Sequence, residues 1–167
     1  MQRAIYESEI RRSSEYLIAA LGRMDMTITA VESCTGGMVA ASLTSVAGSS
    51  SVFQRSFVTY CDKAKHDLVG VKKKTLRKYT AVSRQTAAEM AKGGARKAKA
   101  DICVSVTGYA GPPSGEEEVG LVYIGCRCGD KTKVKQFHFD GDRSAVRLAA
   151  CAAALAMAEK EIKKMNQ

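Results

Sequence analysis

Two short apolar runs, Met26 to Val31 and Asp101 to Val106, each break off into a loop rich in small residues, VESCTGG after the first and VTGYAGPPSG after the second. Buried-type strands that end in glycine-rich loops are the building units of α/β sheets, and ligands gather in such sheets where strands deliver their carboxyl ends. The pair of loops therefore points to a fold class and to a place for a site, the space between them.

The rest of the chain supplies the matching elements. Ala4 to Leu21 places Ile10, Leu17, Ile18 and Leu21 among charged residues, an amphipathic helix with Gly22 as its C-cap. Thr35 onward has helical composition to near Gly48, and Phe53 to Tyr60 reads as a second strand. DKAKHDLVG and KKKTLRKY read as two short helices, and Ser83 is an N-cap for a helix running to Lys97. Val119 to Arg127 and Lys131 to Phe139 flank Cys128-Gly129-Asp130 as an antiparallel hairpin. Asp142 caps a last helix to Lys163, whose alanines allow close approach to the sheet. The pattern predicts an α/β protein: a single three-layer α/β/α domain, with a mixed sheet of about five strands.

Length bounds the answer further. The 167 residues carry no linker or shift of composition, so one domain over 1–167 is expected, with residues 1–22 packed on it as a helix. Charged residues interrupt the first apolar pattern as they would not in a secretory segment, and no apolar run approaches the roughly 20 residues that span a bilayer. A cytoplasmic protein without membrane contact is expected. Six cysteines without a C-x-x-C read as free, mostly buried thiols. His66 and His138 lie far apart with no second ligand at zinc spacing, so neither a metal site nor a cofactor is expected. The net charge of +9 is dispersed over many segments, and at 6% aromatic residues the chain has no stacking platform to interleave with it; solvated faces are expected rather than a nucleic-acid surface.

Chemistry at the first loop turns on Ser33 and Cys34. Gly36 and Gly37 let a ligand approach the backbone, and the N–H groups opening the next helix suit an anion or oxyanion; a plain tight turn would use the same glycines. No G-x-x-x-x-G-K-[ST], G-x-G-x-x-G or G-x-S-x-G is present. A serine nucleophile needs a base. His66 falls on a polar, lysine-rich helix and should be exposed, and His138 falls on a lysine-alternating strand, which leaves lysine. Tyr60 at a strand end and Lys65 in the first turn of the next helix can both face Ser33, although Lys65 is equally one of many surface lysines. Successive residues at a strand end point to opposite sides, so only one of Ser33 and Cys34 faces the cleft, and the other packs on the sheet.

Read in order, VESCTGG with AGSSSVF, VTYCDKAKHDLVGV, AVSRQTAAEMAKGGARKAKADICVSVTGYAGP, VGLVYIG and GDRSAVRLAA resemble the C-terminal domain family of the competence/damage-inducible protein CinA. The resemblance spans roughly Thr27 to Met157. Enzymatic members of that family are nicotinamide-nucleotide amidohydrolases, so the resemblance implies hydrolysis of nicotinamide mononucleotide to nicotinic acid mononucleotide and ammonia, without a metal. It makes Ser33 the nucleophile and Lys65 its base, carries over Tyr60 and Thr107 to orient them, and leaves Cys34 as packing. The oxyanion would meet the N–H groups of Thr35, Gly36 and Gly37. Ser49, Ser50, Gly108, Ala110, Gly111 and Arg143 are weaker carry-overs, expected to line the nucleotide pocket.

Two features depart from the family pattern. Ser114-Gly115-Glu116-Glu117-Glu118 replaces a longer Gly/Pro-rich loop before Val119-Gly120, so the glutamates either point outward or alter substrate preference. Fused members carry a large N-terminal domain, and the stand-alone form is expected here. A base at Lys65 must lie well below the ordinary lysine pKa of about 10.4, through burial and neighbouring cations. The expected partner is the small-molecule substrate, in a homo-oligomer. The alternative function is a non-catalytic nucleotide-binding or competence-related accessory protein with nucleic-acid affinity.

Overall fold

The computed structural model describes residues 1–165; positions 166–167 of the expected 1–167 domain lie outside the described residues. The chain runs α1 (Gln2–Met24), β1 (Ile28–Glu32), α2 (Met38–Thr44), β2 (Phe57–Val58), α3 (Asp62–Val69), α4 (Lys73–Tyr79), α5 (Arg84–Ala98), β3 (Ile102–Gly108), β4 (Leu121–Cys128), β5 (Lys131–His138) and α6 (Arg143–Met165). The five strands form one mixed sheet in the order β2-β1-β3-β4-β5. β1 is parallel to β2 and β3, with Glu32 opposite Val58 and Val106, and the β4–β5 hairpin is antiparallel. Carboxyl ends of β1, β2 and β3 consequently meet at one edge, joined there by the start of β4 and the end of β5.

Helices cover both faces, giving the expected three-layer α/β/α arrangement. On one face α6 lies on β3 and β4, and α1 packs along α6. Leu17, Leu21, Ile28, Val104, Ile124 and Leu155 are buried there. Ala149, Ala150, Ala154 and Ala158 are the small residues that bring α6 down onto the strands. On the other face α5 covers β1, β3 and β4 and carries α3 and α4 on its flank, with Val31, Val69, Val71, Met90 and Cys103 between them.

Two glycines set that second layer. A Cβ on Gly93 would stand 1.8 Å from the Val69 carbonyl oxygen, and one on Gly94 would stand 2.3 Å from Val31 Cγ2. α5 therefore touches the C-terminal turn of α3 backbone to backbone, at a distance no side chain permits.

Several boundaries differ from the sequence reading. α1 runs through Gly22 to Met24, and Asp25, with left-handed backbone (φ 51°), supplies the C-cap. Gly36 (φ 58°) and Gly37 (φ 98°) hold the chain out of the helical region, so α2 begins at Met38 rather than Thr35. It ends at Thr44, and a separate turn of 3₁₀-helix covers Ser49–Ser51. β2 is only two residues, because Val52 and Phe53 turn into the α6-side core instead of joining the sheet. β3 continues through Thr107 and Gly108, which the sequence reading assigned to the following loop.

Candidate active site

Ser33 is the first residue beyond β1. Its N–H donates to the Val106 carbonyl at 2.9 Å, extending the β1–β3 ladder by one bond, and its side chain is 8% exposed at the foot of a cleft of about 420 Å³. The loop after β3 forms one wall, from Gly108 to Val119, with Tyr60 and Arg143 on the rim.

Lys65 reaches the same point from α3. The side chain is 1% exposed, with Nζ 3.0 Å from Ser33 Oγ and donating to the Thr59 carbonyl at 2.9 Å. Taking an ammonium out of water disfavours its charged form, and burial lowers the Lys65 pKa from the ordinary lysine value. The charged neighbours do not help: Asp62 favours the ammonium, as do Cys61 and Cys34, so the neighbouring cations expected from the sequence are not the cause. A neutral amine beside a hydroxyl is an acceptor for the hydroxyl proton, the arrangement of a serine nucleophile and its base.

The loop carrying Ser33 is held from two sides by residues that are not among those expected from the sequence. Glu32 is fully buried, and its carboxylate accepts the N–H groups of Gly37 (3.0 Å), Val39 (3.0 Å) and Ala40 (2.9 Å). Helix N-termini attract negative charge, and here the chain's own carboxylate fills that place. From α6, Arg147 donates Nε to the Cys34 carbonyl (3.0 Å) and Nη2 to the Thr35 carbonyl (2.9 Å). A carboxylate at a strand end just before a Gly-Gly helix start was the available sign for Glu32; for Arg147 the sign was the arginine one turn after Arg143 on the last helix.

This cap changes the expected oxyanion site. The Gly37 N–H is taken by Glu32 and the Gly36 N–H donates to the Ser33 carbonyl at 3.0 Å. Among the described residues, the N–H groups of Cys34 and Thr35 are those of the turn without a backbone or side-chain acceptor from another residue. Thr35 is fully buried, and its hydroxyl finds no partner among the described residues.

The remaining sequence-predicted residues divide. Gly108, Ala110, Gly111, Tyr60 and Arg143 line the cleft with Ser33. Tyr60 is 58% exposed and its hydroxyl accepts Arg143 Nη2 at 2.7 Å, so it stands at the mouth rather than on the Ser33–Lys65 pair. Arg143 also donates Nη1 to the Gly111 carbonyl at 2.6 Å, tying two walls together. Thr107 is fully buried, and its hydroxyl donates to the Ala81 carbonyl at 2.7 Å on the α5 side, away from the pair it was expected to orient. Thr59 takes that place through its carbonyl. Ser49 and Ser50 do not reach the cleft: the turn they form leads into Val52, whose carbonyl accepts the Ile28 N–H at the opposite end of β1, about 16 Å along the strand.

Both Ser33 and Cys34 border the cleft, although only one of them was expected to; Cys34 is nonetheless 6% exposed and part of the α6-side core, and burial pushes its thiol up to about 11. His66 is half-buried rather than exposed, with Nδ1 2.8 Å from the Val71 carbonyl. His138 Nε2 pairs with Glu118 Oε1 at 2.9 Å. Among the described residues no helix is long and apolar enough to cross a membrane.

Comparison with known proteins agrees with this architecture. The model of the CinA C-terminal domain matches residues 11–162. A nicotinamide-nucleotide amidohydrolase PncC of Enterobacter agglomerans is 44% identical over 161 residues, 95% of this chain and 98% of that protein. A CinA-like protein of Kosmotoga olearia is 46% identical over 143 residues, but the match is 84% of this chain and only 35% of the relative, so the chain spans about a third of that longer protein. Among solved structures, the competence damage-inducible protein A of Klebsiella pneumoniae superposes with a TM-score of 0.89 at 33% identity, covering 92% of this chain and 97% of that one. The competence/damage inducible protein CihA of Agrobacterium tumefaciens gives 0.87 at 38% identity, covering 95% and 96%. With the family model matched over most of its length and structures of that superfamily superposing on nearly all of it, this chain belongs to the CinA C-terminal domain family.

Proposed function

We propose that the protein is an amidohydrolase that converts nicotinamide mononucleotide to nicotinic acid mononucleotide and ammonia, using Ser33 as nucleophile and Lys65 as base. The observation that carries the mechanism is the buried Lys65 amine 3.0 Å from Ser33 Oγ at the foot of an open cleft. Similarity to the Enterobacter agglomerans amidohydrolase over almost the whole of both chains supports the reaction.

In this mechanism the Ser33 hydroxyl proton passes to neutral Lys65 Nζ as Oγ bonds to the carboxamide carbon. The negative oxygen of the tetrahedral intermediate takes up the N–H groups of Cys34 and Thr35, since those of Gly36 and Gly37 are already engaged. Lys65 returns the proton to the amide nitrogen, the C–N bond breaks, and ammonia leaves an ester on Ser33. A water molecule then gives a proton to Lys65 as its oxygen bonds to the carbonyl carbon, and Lys65 passes that proton to Ser33 Oγ as the ester C–O bond breaks. This regenerates the serine and the neutral amine and releases the acid, which ionises to the carboxylate. Arg143 at the rim is the cation within reach of the nucleotide phosphate.

Ammonia release from nicotinamide mononucleotide by the purified protein tests the reading, with nicotinamide riboside and nicotinamide as comparisons. Turnover of the mononucleotide that disappears in Ser33→Ala is the expected result. A protein that binds the mononucleotide and releases no ammonia is instead a binding module. The homo-oligomer expected from the sequence belongs to the same proposal, and light scattering reads it directly.

A further inference from the structure

The glutamates of Glu116-Glu117-Glu118 stand in the loop after β3 and differ in their surroundings. Glu118 is exposed and turned to His138 on β5, 2.9 Å away, and Glu116 is exposed. Glu117 is half-buried and lines the cleft with Ser33. Its carboxylate is fixed there: one oxygen accepts the Ser114 N–H at 3.0 Å and the other the Ser114 hydroxyl at 2.7 Å. Both bonds favour the ionised form, and its pKa lies below the ordinary glutamate value.

Among the described residues, the cleft lining holds one carboxylate, Glu117, and one cationic side chain, Arg143. An acidic group at the entrance to a site for a phosphorylated ligand costs affinity unless something positive also binds. An N-ribosylated nicotinamide supplies it, because its ring nitrogen carries a fixed positive charge, whereas the ring of free nicotinamide is neutral at pH 7. A substrate with its carboxamide at Ser33 would extend its ring and phosphate along the lining that carries Glu117 and Arg143.

Resting on the proposed amidohydrolase reading, we infer that Glu117 is a specificity-determining residue that selects N-ribosylated pyridinium substrates by the positive charge of the ring. Arg143 and Glu117 together match a zwitterion, one charge each. Glu117 then makes the cleft selective for ring charge, and Arg143 is complementary to the phosphate.

Glu117→Gln tests this, because the glutamine oxygen can still accept the Ser114 N–H and its amide NH2 can donate to the Ser114 hydroxyl oxygen while the charge is lost. Kd values for nicotinamide mononucleotide, nicotinamide riboside and nicotinamide, measured by calorimetry in a Ser33→Ala background, are compared with and without the substitution, and KM and kcat are measured with Ser33 intact. The expected result is a loss of about 3- to 10-fold in affinity for riboside and mononucleotide, the scale of one screened charge pair, with nicotinamide and kcat unchanged. Glu116→Gln, outside the cleft, should change none of these values. Tighter mononucleotide binding in Glu117→Gln would mean that the carboxylate repels phosphate and would overturn the inference; equal losses for all three ligands, or no loss, would overturn it as well. Absence of ammonia release by the unmodified protein, with the charge-dependent affinities intact, fails the hydrolase reading and leaves charge recognition standing.

Discussion

The Glu32 carboxylate accepts the Gly37 N–H at 3.0 Å and so closes the loop in which Ser33 sits. Its further bonds to Val39 and Ala40 make it the cap of α2, delivered from the last residue of the preceding strand. Removing it leaves buried donors without partners, at about 1–3 kcal/mol each. Glu32→Ala is expected to lose about 3 kcal/mol or more in urea unfolding, and Glu32→Gln, which keeps one acceptor, less. Ammonia release should fall in Glu32→Gln even where the protein remains folded. Full activity there would show that the loop holds its shape without the charge.

Ser33→Ala is expected to abolish turnover while leaving folding and mononucleotide affinity nearly unchanged, since it removes one hydroxyl at the cleft foot and no core volume. Turnover measured beside calorimetric binding decides it, and ordinary turnover in the variant would remove Ser33 from the chemistry.

Lys65→Met keeps most of the aliphatic stem and removes the base, so the rate is expected to drop by orders of magnitude. In the unmodified protein activity should rise with pH as Lys65 loses its proton, with a midpoint below the ordinary lysine value. Stability follows the same group. Because the folded-state pKa is lowered, the unfolded chain binds the extra proton between the folded value and about 10.4, and stability should rise with pH across that window. Unfolding curves taken across the window should lose this slope in Lys65→Met.

Cys34→Ala is expected to retain most activity at a modest stability cost, and thiol alkylation under native conditions should not inactivate through this position. With its thiol at about 11 only about one molecule in ten thousand is ionised at pH 7, and the side chain is 6% exposed. Rapid inactivation with the label on Cys34, prevented by substrate, would make it the nucleophile instead.

The sequence was most legible where a local signal has a local meaning. Ser83 caps α5 by accepting the Thr86 N–H at 3.2 Å, and Asp142 accepts the Ala145 N–H at 2.9 Å at the start of α6, both as spacing predicts. The hairpin strands also fell where alternation placed them. Burial of Lys65 was not legible, because DKAKHD is polar throughout and only the packing of α3 against α5 and β2 puts one of its lysines inside. Thr107 was misplaced by register: β3 runs two residues further than its apolar pattern, and that extension sends the hydroxyl to Ala81. Ser49 and Ser50 were misplaced by topology. Parallel pairing of β1 with β2 obliges the chain to return to the far end of the sheet before β2 begins, so residues midway along that return cannot lie beside Ser33.

The contact between Gly93 and the Val69 carbonyl has a consequence for how this protein can change. Position 93 fixes how near α5 lies to the helix that carries Lys65, and it does so with no side chain that a neighbour could accommodate. Most packing errors in a core can be relieved by trimming an adjacent residue, but a main-chain oxygen cannot be trimmed. Selection for restored activity after Gly93→Ala should therefore return revertants to glycine rather than second-site substitutions, so the spacing of α5 and α3 can be recovered only at position 93 itself.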